Sequence, residues 1–145
     1  MDVKVTGLDE AVLEAEAIVA RLKRPKPVLD EVAEEMKTFI EERFAARQAP
    51  DGSPWAPVTL NTALYRTTDG EGLMRSRYAQ TTAKTVRYGA RASFADVHQL
   101  GDGRVPARPF APVEGEGGPG DAFIEDARVL IERWIATGEG GWRTG

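Results

Sequence analysis

Apolar residues recur at helical spacing in three stretches of the chain. Leu8, Val12, Ala15, Val19 and Leu22 step by four and three, which lines one face of an amphipathic helix, and Asp9 with Glu10 suit its positive N-terminal end. That helix is expected to stop before Pro25, where Pro25-Lys26-Pro27 reads as an extended break. A second helix is expected just after it. There Leu29, Val32, Ala33, Met36, Phe39, Ile40 and Phe44 form a broad apolar stripe, with Asp30, Glu31, Glu34, Glu35, Glu41 and Glu42 mainly on the remaining face. In the third stretch Phe123, Ile124, Ala127, Leu130, Ile131 and Trp134 share a face behind Asp121, which is expected to cap the helix.

Other segments carry different signals. Val3 and Val5 alternate with polar neighbours and suggest a short strand. Residues 73–90 are rich in threonine and tyrosine, contain no proline and predict a hairpin or meander. Phe94, Val97 and Leu100 predict a short helix capped by Ser93 and stopped by Gly101. From Gln48 to about Gly72 no period holds, yet Trp55, Leu60, Leu64 and Tyr65 are too apolar to float freely, so this reads as an ordered, packed loop. Residues 111–120 read as a linker and 137–145, with four glycines and Trp142, as a flexible tail. The expected fold is α+β: a small antiparallel sheet or hairpin packed against two or three amphipathic helices, in one domain over 1–136. The length of 145 residues agrees with one domain.

Composition mainly excludes. With 41% hydrophobic and 29% charged residues, neither wholesale disorder nor a fibrous repeat is expected. The absence of cysteine removes disulfides, thiolate metal sites and thiol nucleophiles. No apolar run reaches the roughly 20 residues that span a bilayer, and the first residues lack a signal-peptide pattern, so synthesis in the cytoplasm and no membrane partner are expected. The net charge of −4 is unevenly spread. Residues 1–50 carry 8 basic and 11 acidic side chains, residues 51–110 carry 8 and 5, and residues 111–145 carry 3 and 7. A mildly basic middle between acidic ends disfavours a strong nucleic-acid face and favours a charged protein interface.

No catalytic constellation emerges. His98 is the only imidazole, with only Asp96 and Asp102 nearby, so a role as a helix-end hydrogen-bond donor is favoured over a metal or catalytic one. Ser53, Ser76 and Ser93 lack a nucleophile-elbow frame, and the glycines of 115–120 lack the Lys-Ser/Thr of a phosphate loop. Arg66, Arg75, Arg77, Lys84, Arg87, Arg91, Arg104 and Arg108 interleave with tyrosines, but strand alternation keeps Arg77, Lys84, Arg87 and Arg91 from lining one groove. Two proline brackets, PDGSPWAP at 50–57 and PARPF at 106–110, stiffen the chain around Trp55 and Phe110. These two side chains either plug the edge of the core or present an interface.

The series Phe44 with PDGSPW at 50–55, LMRS at 73–76, VRYG at 86–89, FADVHQLG at 94–101 and PARPF at 106–110 resembles the virion-morphogenesis, or tail-completion, family of tailed bacteriophages and prophages. It is also similar to the neck proteins of long-tailed phages. The stretch from Gly101 to Pro106 is shorter than in many relatives, and Phe94 stands where a tyrosine is common. The resemblance implies a structural subunit without catalysis or cofactor, acting at the head-tail junction or the upper end of the tail. Its implied partners are copies of itself in a ring, portal or adaptor (head-completion) proteins, and a tail terminator or tail tube. Packaged DNA would lie near it without specific binding. Capsid-assembly or tail-terminator work in the same virion is the alternative, and a nucleic-acid-binding module a more distant one. Candidate interface residues are Trp55, Arg75, Arg87, Arg108, Phe110 and Trp142, and Arg108→Glu is expected to reduce joined particles while leaving the free subunit folded.

Overall fold

The computed structural model describes residues 2–4, 6–57 and 72–143. They form helix α1 (Leu8–Lys23), helix α2 (Lys26–Ala46), strands β1 (Arg77–Thr81) and β2 (Val86–Ala90), the short helix α3 (Ala95–Leu100) and helix α4 (Gly118–Thr137). The fold is α+β, with a two-stranded antiparallel sheet packed on α2. Residues 2–4 belong to no strand, so the expected N-terminal strand is not present among the described residues. Leu60, Leu64, Tyr65 and Arg66 lie outside the described residues.

The break between α1 and α2 is shorter than expected. Pro25 takes helical geometry and α2 begins at Lys26, leaving Pro27 in the first turn, where a missing N–H removes no intrahelical bond. The expected apolar stripe of α2 is its buried face, from Leu29 to Phe44, joined by Val28. One end packs Val28, Leu29 and Val32 on Ala127 and Leu130 of α4. The other sets Phe39 against Phe123 at 4.9 Å and Phe44 against Trp55 and Phe110 at 5.3 and 5.6 Å.

The hairpin pairs Arg77 with Ala90 through to Thr81 with Val86. Its turn closes with Thr82 N–H donating to the Thr85 carbonyl, 2.9 Å, and the two threonine hydroxyls in contact. Val86, Tyr88 and Ala90 face the core, which sends Arg87 off the opposite face, while Arg77 reaches back to Glu41 at 2.8 Å. Strand alternation therefore separates these cations, as the sequence implied.

Three local expectations are corrected. Helix α3 starts after Phe94 with no side-chain cap from Ser93, and it buries Ala95 and His98 while Leu100 is 77% exposed. Residues 111–120 are not a loose linker: Pro112 and Gly120 are buried, and the Gly120 N–H donates to the Pro50 carbonyl at 2.6 Å. Gly118 has φ +67°, and a Cβ there would lie 2.2 Å from the Asp51 carbonyl oxygen, so only glycine fits. Asp121 lies inside α4 rather than before it, and its carboxylate turns back to accept from Gly115 N–H and Gly117 N–H. Beyond α4 no helix or strand forms among residues 138–143. Trp142 stacks on Phe123 at 4.7 Å and Gly141 N–H donates to Glu31.

Candidate assembly surface

The motif segments interlock on one side of α2. In the PDGSPW turn, Asp51 Oδ1 accepts from both the hydroxyl and the backbone N–H of Ser53, and these hydrogen bonds hold its carboxyl below the usual range. The chain reverses there, with Ala49 N–H donating to Ser53 O and Trp55 N–H to Arg47 O. Trp55 is thereby delivered onto Phe44, and its indole N–H donates to the Pro109 carbonyl at 2.8 Å. The PARPF segment returns the tie. Arg108 Nε and Nη2 donate to the carbonyls of Ala56 and Pro57 at 3.2 and 2.7 Å.

Helix α3 clamps the same segment from its other flank. Gln99 Oε1 accepts from the N–H groups of Phe110 and Ala111, and Gln99 Nε2 donates to the Ala111 carbonyl. Arg108 N–H donates to the His98 carbonyl. Gly101, at φ +74°, passes so near Ala107 that a Cβ would sit 2.8 Å from its backbone nitrogen. In the LMRS segment Leu73 is fully buried, and Ser76 Oγ donates to Leu73 O while accepting from Ala92 N–H. Tyr88 donates its hydroxyl to Pro112 O, and burial with the nearby Glu116 charge pushes its phenol pKa up. Sequence reading places Gln99 and Ser76 in the motif series, and Ser76 among the serines without a nucleophile frame, but assigns neither a clamping role; a glutamine beside Leu100 and a serine in a turn carry no local sign of a long-range clamp.

His98 is buried against Phe94, edge to face at 5.7 Å, and its Nδ1 makes no hydrogen bond among the described residues. It sits at the end of α3, but as an interior group rather than a helix-end donor. Burial, with the Arg108 charge adding to it, lowers its pKa. The unfolded chain therefore binds this proton more readily than the native one. Stability from this group is complete above the ordinary histidine value of 6.5 and is lost as pH falls below it toward the lowered native pKa. Thermal melts between pH 8 and pH 5 are expected to show falling stability, flattened in His98→Gln; an unchanged slope in that variant contradicts this origin.

The six candidate interface residues divide. Trp55, Phe110 and Arg108 are buried within the subunit, the last at 8% exposure, whereas Arg75 and Arg87 are exposed and Trp142 is half-buried. The structure does not bring these six into one patch. Arg108 is part of the fold, so the expectation that its charge reversal leaves the subunit folded is corrected: a carboxylate would face two carbonyl oxygens. The exposed cations that remain around the hairpin and its flanks are Arg75, Lys84, Arg87, Arg91 and Arg104, with Arg91 lying over the Tyr78 ring. Residues 72–110 hold seven lysines and arginines against two aspartates, whereas α2 alone carries six carboxylates. Among the described residues no group of three or more His, Asp or Glu side chains is placed to hold a metal ion. No helix of the described structure is long and apolar enough to cross a membrane.

This arrangement is one of interlocked structural segments. The model of the phage virion morphogenesis family matches residues 4–118, about four-fifths of the chain, and the chain belongs to that family. No curated protein and no solved structure shows significant similarity to it. Membership ties the chain to the building of a bacteriophage particle. The matched part contains α1 through the Gly115–Gly117 turn and ends as α4 begins.

Proposed function

We propose that this chain is a structural, non-catalytic subunit that completes the tail or joins head to tail at the neck of a tailed phage or prophage particle, working as a ring of identical copies. Family membership is the observation that carries the reading. The segments that resemble neck proteins tie Trp55, Arg108, Gln99 and Phe110 together, so they form a stiff platform rather than a reaction centre. Charge supports the ring. The basic outer face of the hairpin, with Arg87, and the acidic exposed side of α2 lie on different parts of one subunit, as a head-to-tail contact between copies requires. Portal or adaptor proteins on one side and a tail terminator or tail tube on the other are the proposed neighbours.

Electron microscopy of particles lacking the gene, complemented in trans as control, tests this. Filled heads beside unattached or irregular-length tails are expected. Complementation with Arg87→Glu should lower the yield of joined particles while the purified variant melts within about 2 °C of wild type, since exposed substitutions shift stability little. Normal infectious virions without the gene would overturn the reading, and malformed heads would move the role to capsid assembly.

A further inference from the structure

Helix α1 keeps no residue buried, although its sequence has a well-formed apolar stripe. At 3.6 residues per turn, Leu8, Val12, Ala15, Val19 and Leu22 fall within an arc of about 80°, whereas Ala17, Ile18 and Arg21, the shielded residues, centre roughly 135° away. That second side meets α4, where Arg21 donates to the carbonyls of Ile135 and Ala136 at 2.6 and 3.0 Å. The apolar arc thus points away from the rest of the subunit. Leu8, Val12, Val19 and Leu22 remain 61, 54, 47 and 53% exposed. A continuous apolar row of this kind marks an interaction face.

The charges on α1 select the occupant. Every ionised side chain of α1 from residue 9 to 16 is acidic, namely Asp9, Glu10, Glu14 and Glu16, and the two at its C-terminal end, Arg21 and Lys23, are basic, with Arg24 following as the cap. Arg21 is turned to α4, which leaves Lys23 as the α1 cation beside the apolar row. A second α1 laid antiparallel places each acidic half against a basic half, whereas a parallel partner sets like against like. The apolar row permits the same register. Centred on Ala15, Leu8 lies opposite Leu22 and Val12 within one residue of Val19 of the other copy, while Asp9 falls within two residues of Lys23 at both ends of the contact. Glu16 lies beside its own counterpart near the two-fold axis of the antiparallel pair, one like-charge contact set against two Asp9–Lys23 attractions.

We propose that α1 is a self-association face on which a second copy of this chain docks its own α1 antiparallel, forming a two-fold pair. Such a pair saturates itself and cannot close a ring, so it is distinct from the head-to-tail contacts proposed above and does not depend on them. Sixteen residues give a contact about 24 Å long, and one helix face of that length buries less than the roughly 800 Å² per partner of stable complexes, so the pair is reversible.

Sedimentation velocity of the full chain at low salt, from roughly 1 to 300 μM, reads the pairing as a rise in mass from one chain toward two. Val12→Glu should keep the mass at one chain throughout. Asp9→Lys and Lys23→Glu should each raise the midpoint concentration about 3- to 10-fold, the scale of exposed ion pairs, and the double exchange should restore it to within about 2-fold of wild type. Thermal melts confirm that each variant is folded. A wild-type mass of one chain at every concentration, association that survives Val12→Glu, or a double exchange as weak as the single ones would each overturn the proposal. The first of these outcomes leaves the face to a different protein of the particle.

Discussion

Replacing Trp55 with alanine is expected to lower the stability of the free subunit by about 3–5 kcal/mol, the range for emptying a buried aromatic site. Three losses combine at this residue. The ring leaves Phe44, a fully buried side chain on α2, without its edge-to-face partner at 5.3 Å. The Pro109 carbonyl loses the indole N–H that satisfies it. The PDGSPW turn loses the side chain that pins it to α2. In a domain of this size the change should lower the melting temperature by on the order of 10 °C. Trp55→Phe separates the contributions, since it keeps most of the apolar contact and removes the N–H, with an expected cost of about 1–2 kcal/mol. Urea or thermal unfolding measures both. A Trp55→Ala variant melting within about 2 °C of wild type would show that the residue plugs nothing essential.

Arg108→Glu is expected to cost a similar amount, about 3–5 kcal/mol, because a charge enters a site built to donate hydrogen bonds. In the native subunit the guanidinium satisfies the carbonyls of Ala56 and Pro57, and the Arg108 backbone N–H satisfies that of His98. The reversed side chain presents carboxylate oxygens to carbonyl oxygens within a mostly buried environment. Arg108→Met keeps the apolar stem but leaves the carbonyls unpaired, which should cost about 1–3 kcal/mol. Any loss of particles caused by Arg108→Glu therefore reports folding before it reports assembly, and Arg87 is the better probe of a surface contact. Equal melting of Arg108→Glu and wild type would restore Arg108 as an interface residue.

The parts of the fold legible in the sequence are those in which one segment reports its own environment. Helix α2 has a stripe from Leu29 to Phe44 because it is buried along one side, and the hairpin is legible because Tyr78, Val86 and Tyr88 sit in a proline-free run around a threonine turn. The pattern of α1 reveals a helix but not where its apolar side points. Periodicity records that a face avoids water and is silent on whether its cover belongs to the same chain. Residues 111–120 read as a linker in sequence for a related reason. Glycine and proline are the composition of a free linker, and also of backbone that must pass within contact of another backbone, as Gly118 passes Asp51. Among the interface candidates, Trp55 and Phe110 left two readings open, and their bracketing prolines fit a core plug equally well. The clamps made by Gln99, Ser76 and Arg108 depend on partners 11 to 52 residues away, which no local spacing encodes.

The seat of α4 offers a way to sort related sequences. The family match ends at the residue where this helix starts, and the helix is admitted only because Gly118 and Gly120 let it lie against Pro50 and Asp51 with no side chain between. A Cβ at position 120 would approach Pro50 to 2.8 Å, so the requirement applies at both glycines. A relative with a branched residue at either place is expected not to seat its C-terminal helix on the same turn without moving Pro50 or Asp51. The paired glycines thus act as a diagnostic for subunits that fold their last helix back, separable by inspection from those that seat it differently.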